Sequence, residues 1–185
     1  MTRLPHRLLP LAAAVVLGLS ACGSDEGDTE SGGSAAATPE ATQTPAATET
    51  PAAGASKISK DTDSKPEIPK PAGDPPTQLV TRDIVKGKGR AAKAGDQVTV
   101  QYVGVSFSTG EQFDASWDNG QPFPFELGAG AVIPGWDLGV PGMKVGGRRE
   151  LIIPPELAYG PQGQGPIAPN ETLVFVVDVV DIRRG

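Results

Sequence analysis

The chain has 185 residues, a formal net charge of −6 and 5% aromatic residues, with one cysteine and one histidine. This length allows one or two domains, and the charge excludes the strongly basic surface of a nucleic-acid-binding protein. One cysteine cannot form an intramolecular disulfide, and the chain lacks the residues for a Cys/His zinc site. We therefore expect no metal site and no cofactor.

Residues 1–21 have the layout of a secretory signal peptide. A short positive start is followed by the apolar run Leu8–Leu19, which is too short to span roughly 30 Å of hydrocarbon as a helix. The boundary around Cys22 resembles a bacterial lipobox, which implies cleavage before Cys22 and acylation of that residue, with palmitate among the acyl groups. An ordinary signal peptide with an incidental cysteine is the alternative. We expect an extracytoplasmic protein that Cys22 anchors to the cell membrane.

Removal of residues 1–21 would also remove His6, the single histidine. The mature chain would then lack the base that a Ser-His-Asp or Cys-His arrangement requires. Most hydrolase mechanisms are excluded on this ground.

Residues 22–75 are rich in Ala, Thr, Pro and acids, and Ile58 and Ile68 are the only large apolar residues among them. Such a composition buries too little surface to offset the entropy of ordering. We predict a disordered linker that carries the folded domain, residues 76–185, away from the membrane.

Apolar patterns predict the strands of this domain. They cover Gln78–Val85, Val98–Val105, a strand beginning at Gln112, Phe123–Leu127, Arg148–Ile153 and Leu173–Val180. Pro122 and Pro124 restrict the fourth strand to a sheet edge or a bulge. The last strand is almost continuously apolar, which favours a central place in its sheet. Lys86–Arg90 lacks the spacing of a phosphate loop and is interpreted as a basic, solvated turn.

A single short helix is predicted near Val132–Val140. Pro134 suits a first helical position, and Pro141 and Gly142 should end the helix. A long loop, Pro154–Asn170, precedes the last strand. The fold class is α+β, a strongly twisted antiparallel sheet of five to six strands wrapped around one short α-helix.

Five of the nine aromatic residues lie between Phe113 and Trp136. This stretch is interpreted as both hydrophobic core and functional site, with Phe125 and Leu127 facing the core. Trp117 is interpreted as a residue at the rim of the site. Asp114 has two alternative roles, as a turn cap or as the partner of a cation such as Arg148 or Arg149.

Six blocks of sequence resemble the FKBP-type peptidyl-prolyl cis-trans isomerases in order and spacing. The blocks are Val100–Gly104, Gln112–Ser116, Pro122–Gly128, Val132–Trp136, Ala158–Gly160 and Pro169–Phe175. The resemblance covers residues 77–185 and implies a twisted antiparallel sheet around a short helix. It also implies proline-containing polypeptides as substrates, macrolide inhibitors as ligands and a monomer.

The resemblance further implies a pocket with Trp136 at its floor. Its catalytic residues would be Asp114, Tyr159 and Ile133, the last two as hydrogen-bond donors through the Tyr159 hydroxyl and the Ile133 backbone N–H. The substrate-binding residues would be Tyr102, Phe113, Phe123, Val132, Trp136, Ile167 and Phe175.

The chemistry of prolyl isomerisation fits a chain without a general base. Rotation about a peptide bond meets a barrier of roughly 18–20 kcal/mol and breaks no covalent bond, so it needs no nucleophile or metal. An apolar pocket favours the less polar, twisted amide. We expect an isomerase acting on X–Pro bonds of exported proteins. The alternatives are a prolyl-peptide-binding module or chaperone with incidental catalysis, and a nutrient- or ion-binding lipoprotein.

Overall fold

The computed structural model describes residues 57–185 of the chain. The expected signal peptide, Cys22 and the first part of the expected linker lie outside the described residues. The strands are β1 (Val80–Val85), β2 (Lys88–Ala91), β3 (Gln97–Ser106), β4 (Gln112–Ala115), β5 (Phe123–Glu126), β6 (Lys144–Val145), β7 (Arg148–Ile153) and β8 (Leu173–Arg183). One α-helix, α1, spans Pro134–Gly139. None of the helices among residues 57–185 is long and apolar enough to cross a membrane.

Six of the strands form one antiparallel sheet in the order β1-β7-β8-β3-β4. β5 also pairs with β3, at the end opposite to β4, so β4 and β5 share one edge of the sheet. β8 lies in the middle, pairing with β3 along its length and with β7 over Leu173–Asp178. The predicted fold class, the central position of the last strand and the edge position of Phe123–Leu127 are confirmed.

The inner face of the sheet carries the main hydrophobic core. Alternate side chains of β3, β7 and β8 point to this face because successive residues of a strand face opposite sides. Helix α1 packs there, and its approach is close: a Cβ on Gly135 would lie 2.4 Å from Ile153 Cγ2. We call the buried side chains of this layer the inner cluster: Ala92, Val98, Val100, Phe125, Leu127, Trp136, Val140, Met143, Leu151, Ile153, Ile167, Leu173, Phe175, Val177 and Val179.

Helix α1 begins where the sequence predicts. Pro134 occupies the first turn, where a missing N–H removes no intrahelical bond. The Ile133 carbonyl accepts the Trp136 N–H at 2.9 Å and so closes the first turn. The helix ends at Gly139 because Pro141 cannot continue it.

The opposite face of the sheet carries a second, smaller hydrophobic layer. We call it the outer cluster; it consists of Val80, Val103, Val105, Phe107, Ala115, Ile152 and Val174, with Ile68 and Trp117 packed against it. The sheet is therefore covered on both faces, and part of the outer cover comes from a segment that precedes β1.

That segment, residues 57–76, which we call the strap, corrects the prediction that residues 22–75 are disordered throughout. Ile58 is 5% exposed, and Ile68 packs on the outer cluster. The Arg148 guanidinium donates to the carbonyls of Ser59 at 2.8 Å and Ser64 at 2.9 Å. A polar, proline-rich segment is ordered here because its carbonyls supply two of the acceptors that a buried cation on β7 needs.

Arg148 itself is fully buried and forms a bidentate pair with Asp178 on the neighbouring strand, at 2.5 and 2.7 Å. Burial raises the pKa of the Asp178 carboxyl, and the Arg148 guanidinium opposes that rise. All hydrogen bonds of the pair thus depend on β7, β8 and the strap lying together.

The interpretation of Lys86–Arg90 as a solvated turn was wrong in part. Lys88 begins strand β2, which pairs with the two-residue strand β6 in a separate two-stranded sheet. Neither strand shows an apolar pattern, because the side chains of Lys88, Gly89 and Arg90 are exposed and the pairing is between backbones.

We predict that Arg148→Met destabilises the protein strongly. The variant leaves the buried Asp178 carboxylate without its cation and two strap carbonyls without donors, a loss of roughly 3–5 kcal/mol. Urea denaturation of the full chain measures it as a lower free energy of unfolding.

The matched control is Arg183→Met, because Arg183 pairs with Asp181 but is 81% exposed. Screened surface pairs contribute little, so no measurable change is expected. Equal losses in the two variants would contradict the importance of the buried pair.

Candidate functional site

A cavity of about 300 Å³ opens where the inner cluster reaches the surface beside α1. Its lining is Tyr102, Phe113, Asp114, Phe123, Ala131, Val132, Ile133, Trp136, Tyr159 and Phe175. We call it the aromatic pocket. It is of a size to hold one small ring and its neighbouring groups.

The sheet, the helix and two loops of the domain all contribute residues to the pocket. β3 supplies Tyr102, the edge strands β4 and β5 supply Phe113, Asp114 and Phe123, and the central strand β8 supplies Phe175. Helix α1 contributes Trp136, and the loops before α1 and after β7 supply the remaining residues. The site therefore exists only when sheet, helix and loops are assembled.

Trp136 forms the floor of the pocket and is 4% exposed. Its ring centroid lies 5.2 Å from that of Tyr102 and 5.3 Å from that of Phe175, both edge to face. Phe125 packs against Trp136 at 5.6 Å, on the core side. Edge-to-face pairs are the favourable arrangement for aromatic rings, so the floor is held rigidly.

Gly104 makes room for the aromatic walls. A Cβ at this position would lie 2.7 Å from both Phe113 Cζ and Phe175 Cε1. These two rings meet edge to face at 5.5 Å above the strand. Any larger residue would force the wall apart, which gives this glycine a function that sequence patterns alone did not indicate.

One carboxylate faces the pocket, and it is held by a tyrosine. The Tyr102 hydroxyl donates to Asp114 Oδ2 at 2.5 Å. Burial raises the pKa of the Tyr102 phenol, and the adjacent Asp114 carboxylate raises it further. The alternative roles of Asp114 as partner of Arg148 or Arg149 are excluded, because these arginines pair with Asp178 and Asp83.

Ser116 supports this pair from the far side of the strand. It is 3% exposed; its hydroxyl accepts the Tyr102 backbone N–H at 2.8 Å and donates to the Gln101 side chain. Ser116, in the turn after β4, is thus hydrogen-bonded to β3 at Tyr102, the residue whose hydroxyl holds Asp114.

Two further polar groups border the pocket. The Tyr159 phenol is half-buried, and burial raises its pKa, with the Asp114 charge as a second cause. The Ile133 backbone N–H has no hydrogen-bond partner among residues 57–185. The Tyr159 hydroxyl stays protonated at neutral pH, so both it and the Ile133 N–H are available as hydrogen-bond donors.

The structure brings together nine of the ten pocket residues predicted from sequence. Ile167 is the exception: it is 7% exposed and packs in the inner cluster without lining the cavity. Ala131 lines the cavity and was missed, since a small residue in a loop gives no pattern. Trp117, interpreted as a rim residue, packs instead against the outer cluster. Phe125 and Leu127 are core residues, as predicted.

A second cavity, of about 210 Å³, lies beside the two-stranded sheet. Asp83, Lys86, Lys144 and Arg149 are among its lining residues, and none of its lining side chains is aromatic. It offers no aromatic surface for a ring, so the aromatic pocket is the better candidate for a binding site.

Comparisons with known proteins agree with this geometry. A family model described as FKBP-type peptidyl-prolyl cis-trans isomerase matches residues 88–180. An FK506-binding protein of Streptomyces anulatus is 62% identical over 120 residues, which are 64% of this chain and 97% of that protein. A probable FK506-binding protein of Corynebacterium glutamicum is 53% identical over 116 residues, 63% of this chain and 97% of that protein.

Solved structures show the same likeness. FkpA from Escherichia coli matches with a TM-score of 0.54 and 44% identity over 58% of this chain and 49% of that chain. AtFKBP13 matches with a TM-score of 0.53 and 39% identity over 58% of this chain and 94% of that chain.

Fold and cavity define a small α+β domain with an aromatic pocket, and the comparisons specify its class. The chain belongs to the FKBP-type peptidyl-prolyl cis-trans isomerase family.

We predict that both tyrosines of the chain ionise above the ordinary phenol pKa of about 10. Because their folded-state pKa values are raised, they stabilise the fold below pH ~10, and this contribution is lost as the pH rises towards the folded pKa. Asp114→Asn should lower the pKa of Tyr102 by removing the adjacent charge. Tyrosinate absorbance during alkaline titration measures the pKa of the phenols in the wild-type protein and in Asp114→Asn.

Asp181→Asn is the control, since Asp181 lies outside the aromatic pocket and should leave the titration unchanged. Ionisation of both phenols with an ordinary pKa in the folded protein would contradict the burial of Tyr102 and Tyr159 beside the Asp114 carboxylate.

Proposed function

We propose that the chain catalyses cis–trans isomerisation of X–Pro bonds in exported polypeptides by non-covalent stabilisation of the twisted amide in the aromatic pocket. The observation that carries this proposal is the aromatic floor and wall beside a single carboxylate and two available donors. Exported chains are unfolded when they emerge, and X–Pro isomerisation in tens of seconds limits their folding.

The prolyl ring is the group that fits the floor. Trp136 and Phe175 present an edge-to-face apolar surface, and the half-buried Tyr102 and Phe113 form the walls beside it. Burying the ring carbons removes them from water and anchors the prolyl side of the X–Pro bond, including the ring nitrogen. The carbonyl group of the preceding residue then lies at the mouth of the pocket and is free to rotate about the C–N bond.

The donors hold the chain around the rotating bond. The Ile133 N–H and the Tyr159 hydroxyl can each donate a hydrogen bond to a substrate carbonyl. If they bond carbonyls on either side of the X–Pro amide, they favour the twisted arrangement over either planar isomer. Catalysis needs only such differential binding.

The Asp114 carboxylate contributes through charge. In the planar amide the nitrogen lone pair delocalises and places negative charge on the carbonyl oxygen; twisting removes that delocalisation. A nearby carboxylate repels the planar form more than the twisted one. The hydrogen bond from Tyr102 fixes Asp114 in that position.

We predict that Asp114→Asn lowers kcat/KM by at least about tenfold, about 1.4 kcal/mol of transition-state stabilisation. Asparagine keeps the shape and removes the charge, so the loss should fall on kcat more than on KM. A protease-coupled or proline-limited refolding assay on the full chain measures it. Asp181→Asn is the charge-matched control and should retain full activity; full activity in Asp114→Asn would contradict the electrostatic role.

The ligand class follows the names of the relatives. Proteins of S. anulatus and C. glutamicum are named for FK506 binding, and we propose that macrolides of this kind occupy the same aromatic pocket. A macrolide that buries a ring on Trp136 should compete with proline-containing peptides.

The place of action is proposed from the amino-terminal sequence. A positive start, an apolar run and the sole cysteine at position 22 support cleavage before Cys22 and lipid attachment there. Two or more acyl chains give firm anchoring, whereas one gives only marginal binding. The isomerase would then act on exported chains outside the cytoplasmic membrane.

We predict that Cys22→Ser abolishes lipid attachment and releases the protein from the membrane. Mass spectrometry of the membrane-extracted wild-type chain should show cleavage before Cys22 and added acyl groups. Isomerase activity of the variant should be unchanged, because position 22 lies outside the catalytic domain. An unmodified Cys22 in the wild-type protein would refute the anchor while leaving the enzymatic proposal intact.

A further inference from the structure

Strand β4, which carries Phe113 and Asp114, is the part of the pocket wall with the least support from the sheet. It is four residues long and pairs only with β3. The register of that pairing shifts between Gly104 and Val105. A short edge strand with an irregular ladder opens more readily than a central one, so its position depends on what packs behind it.

The strap supplies contacts at both ends of β4. Lys65 Nζ pairs with Asp118 Oδ1 at 2.5 Å, three residues beyond the strand, and Asp118 Oδ2 accepts from Gln112 Nε2 at 2.7 Å. Before the strand, Gly110 lies so close to the strap that a Cβ there would be 2.8 Å from Lys70 Cβ. The strap thus contacts the turns that begin and end β4.

The middle of this part of the strap supports β4 from behind. Ile68 packs on the outer cluster, to which β4 contributes Ala115 and the preceding turn contributes Phe107. Ala115 follows directly after Asp114 and faces the opposite side of the strand. Ile68 therefore packs on the face of the sheet opposite to the pocket, in the cluster that contains Ala115 of β4.

The strap has a second, separate attachment. Its first part, residues 57–64, is held by Arg148 on β7 and by the buried Ile58. Strand β7, which carries this attachment, and strand β4 lie on opposite sides of the central strand β8. The two parts can be tested independently, and the family model, which matches residues 88–180, assigns neither.

We infer that Lys65, Ile68 and Lys70 are positioning residues of the active site: they hold β4 in place from its outer face and thereby fix Phe113 and Asp114. The inference rests on the proposed function of the aromatic pocket. The catalytic unit accordingly begins within the strap, and residues 65–70 belong to the machinery that sets its rate. A displacement of about 1 Å at a reacting group is enough to slow catalysis greatly.

The experiment compares Ile68→Ala with Ile58→Ala in the full chain. Both variants remove the same atoms from the same segment, and both should lower global stability. Two quantities are measured under conditions where each variant is fully folded. One is the amide hydrogen exchange of β4 relative to that of β8, and the other is kcat/KM for a proline-containing peptide.

Ile68→Ala should raise the exchange of β4 relative to β8 by about tenfold and lower kcat/KM by about threefold or more, since local opening of β4 displaces Asp114. Ile58→Ala should leave both quantities within about a factor of two of wild type by the same reasoning. Lys65→Gln should shift both quantities in the direction of Ile68→Ala but by less, because the pair of Lys65 with Asp118 is exposed and screened. Lys65→Arg, which keeps the pair, should leave both quantities as in wild type.

Equal effects of Ile58→Ala and Ile68→Ala on the exchange ratio and on kcat/KM would overturn the inference, because the strap would then act on the fold as a whole. A wild-type chain that fails to accelerate isomerisation would instead refute the proposed function. The exchange ratio would still report on the strap in that case, so the two failures are distinguishable.

Discussion

The Trp136 side chain is buried between its own helix, α1, and the sheet, and the rest of the domain is arranged around it. Rings from β3, β5 and β8 meet it edge to face, and Phe125 packs against it on the core side. One side of this packing is left open to solvent, and that open side is the aromatic pocket. Core and pocket therefore share side chains, and a change at Trp136 must affect the stability of the domain and the shape of the pocket together.

This arrangement suits a reaction that breaks no covalent bond. An isomerase must bind a rotating amide more tightly than either planar form, and a rigid apolar floor with a few polar groups at its edge can do so. The polar groups are few and well supported: Asp114 is held by Tyr102, and Tyr102 is held through Ser116. Gly104 lets Phe113 and Phe175 meet above β3, so even the shape of the wall depends on one missing side chain.

The outer face of the sheet depends on a different interaction, the buried pair of Arg148 and Asp178. Removing two charges from water is costly, and the cost is offset only when every hydrogen bond is made. Two of those bonds go to carbonyls of the strap. The requirement to satisfy Arg148 extends the domain about twenty residues before β1, past the matched family region, and brings Lys65 and Ile68 behind the pocket wall.

Much of this protein can be predicted from its sequence because the relevant forces are local. Alternation or continuity of apolar residues predicts the strands, Pro134 marks the start of α1, and the nearly unbroken run from Leu173 indicates the central strand. The resemblance of the six motif blocks to a known family implies nine of the pocket residues that the structure brings together, six of them aromatic.

Only the tertiary structure decided which distant groups meet. The polar, proline-rich composition of residues 57–75 indicates disorder. Nothing in those residues shows that their carbonyls accept hydrogen bonds from a buried guanidinium on β7. Contacts between residues far apart in the chain likewise decide which face of the sheet Trp117 packs against, the burial of Ile167 in the inner cluster and the pairing of β2 with β6. Sequence patterns determine what each segment prefers by itself; burial and hydrogen bonding between segments decide where it lies.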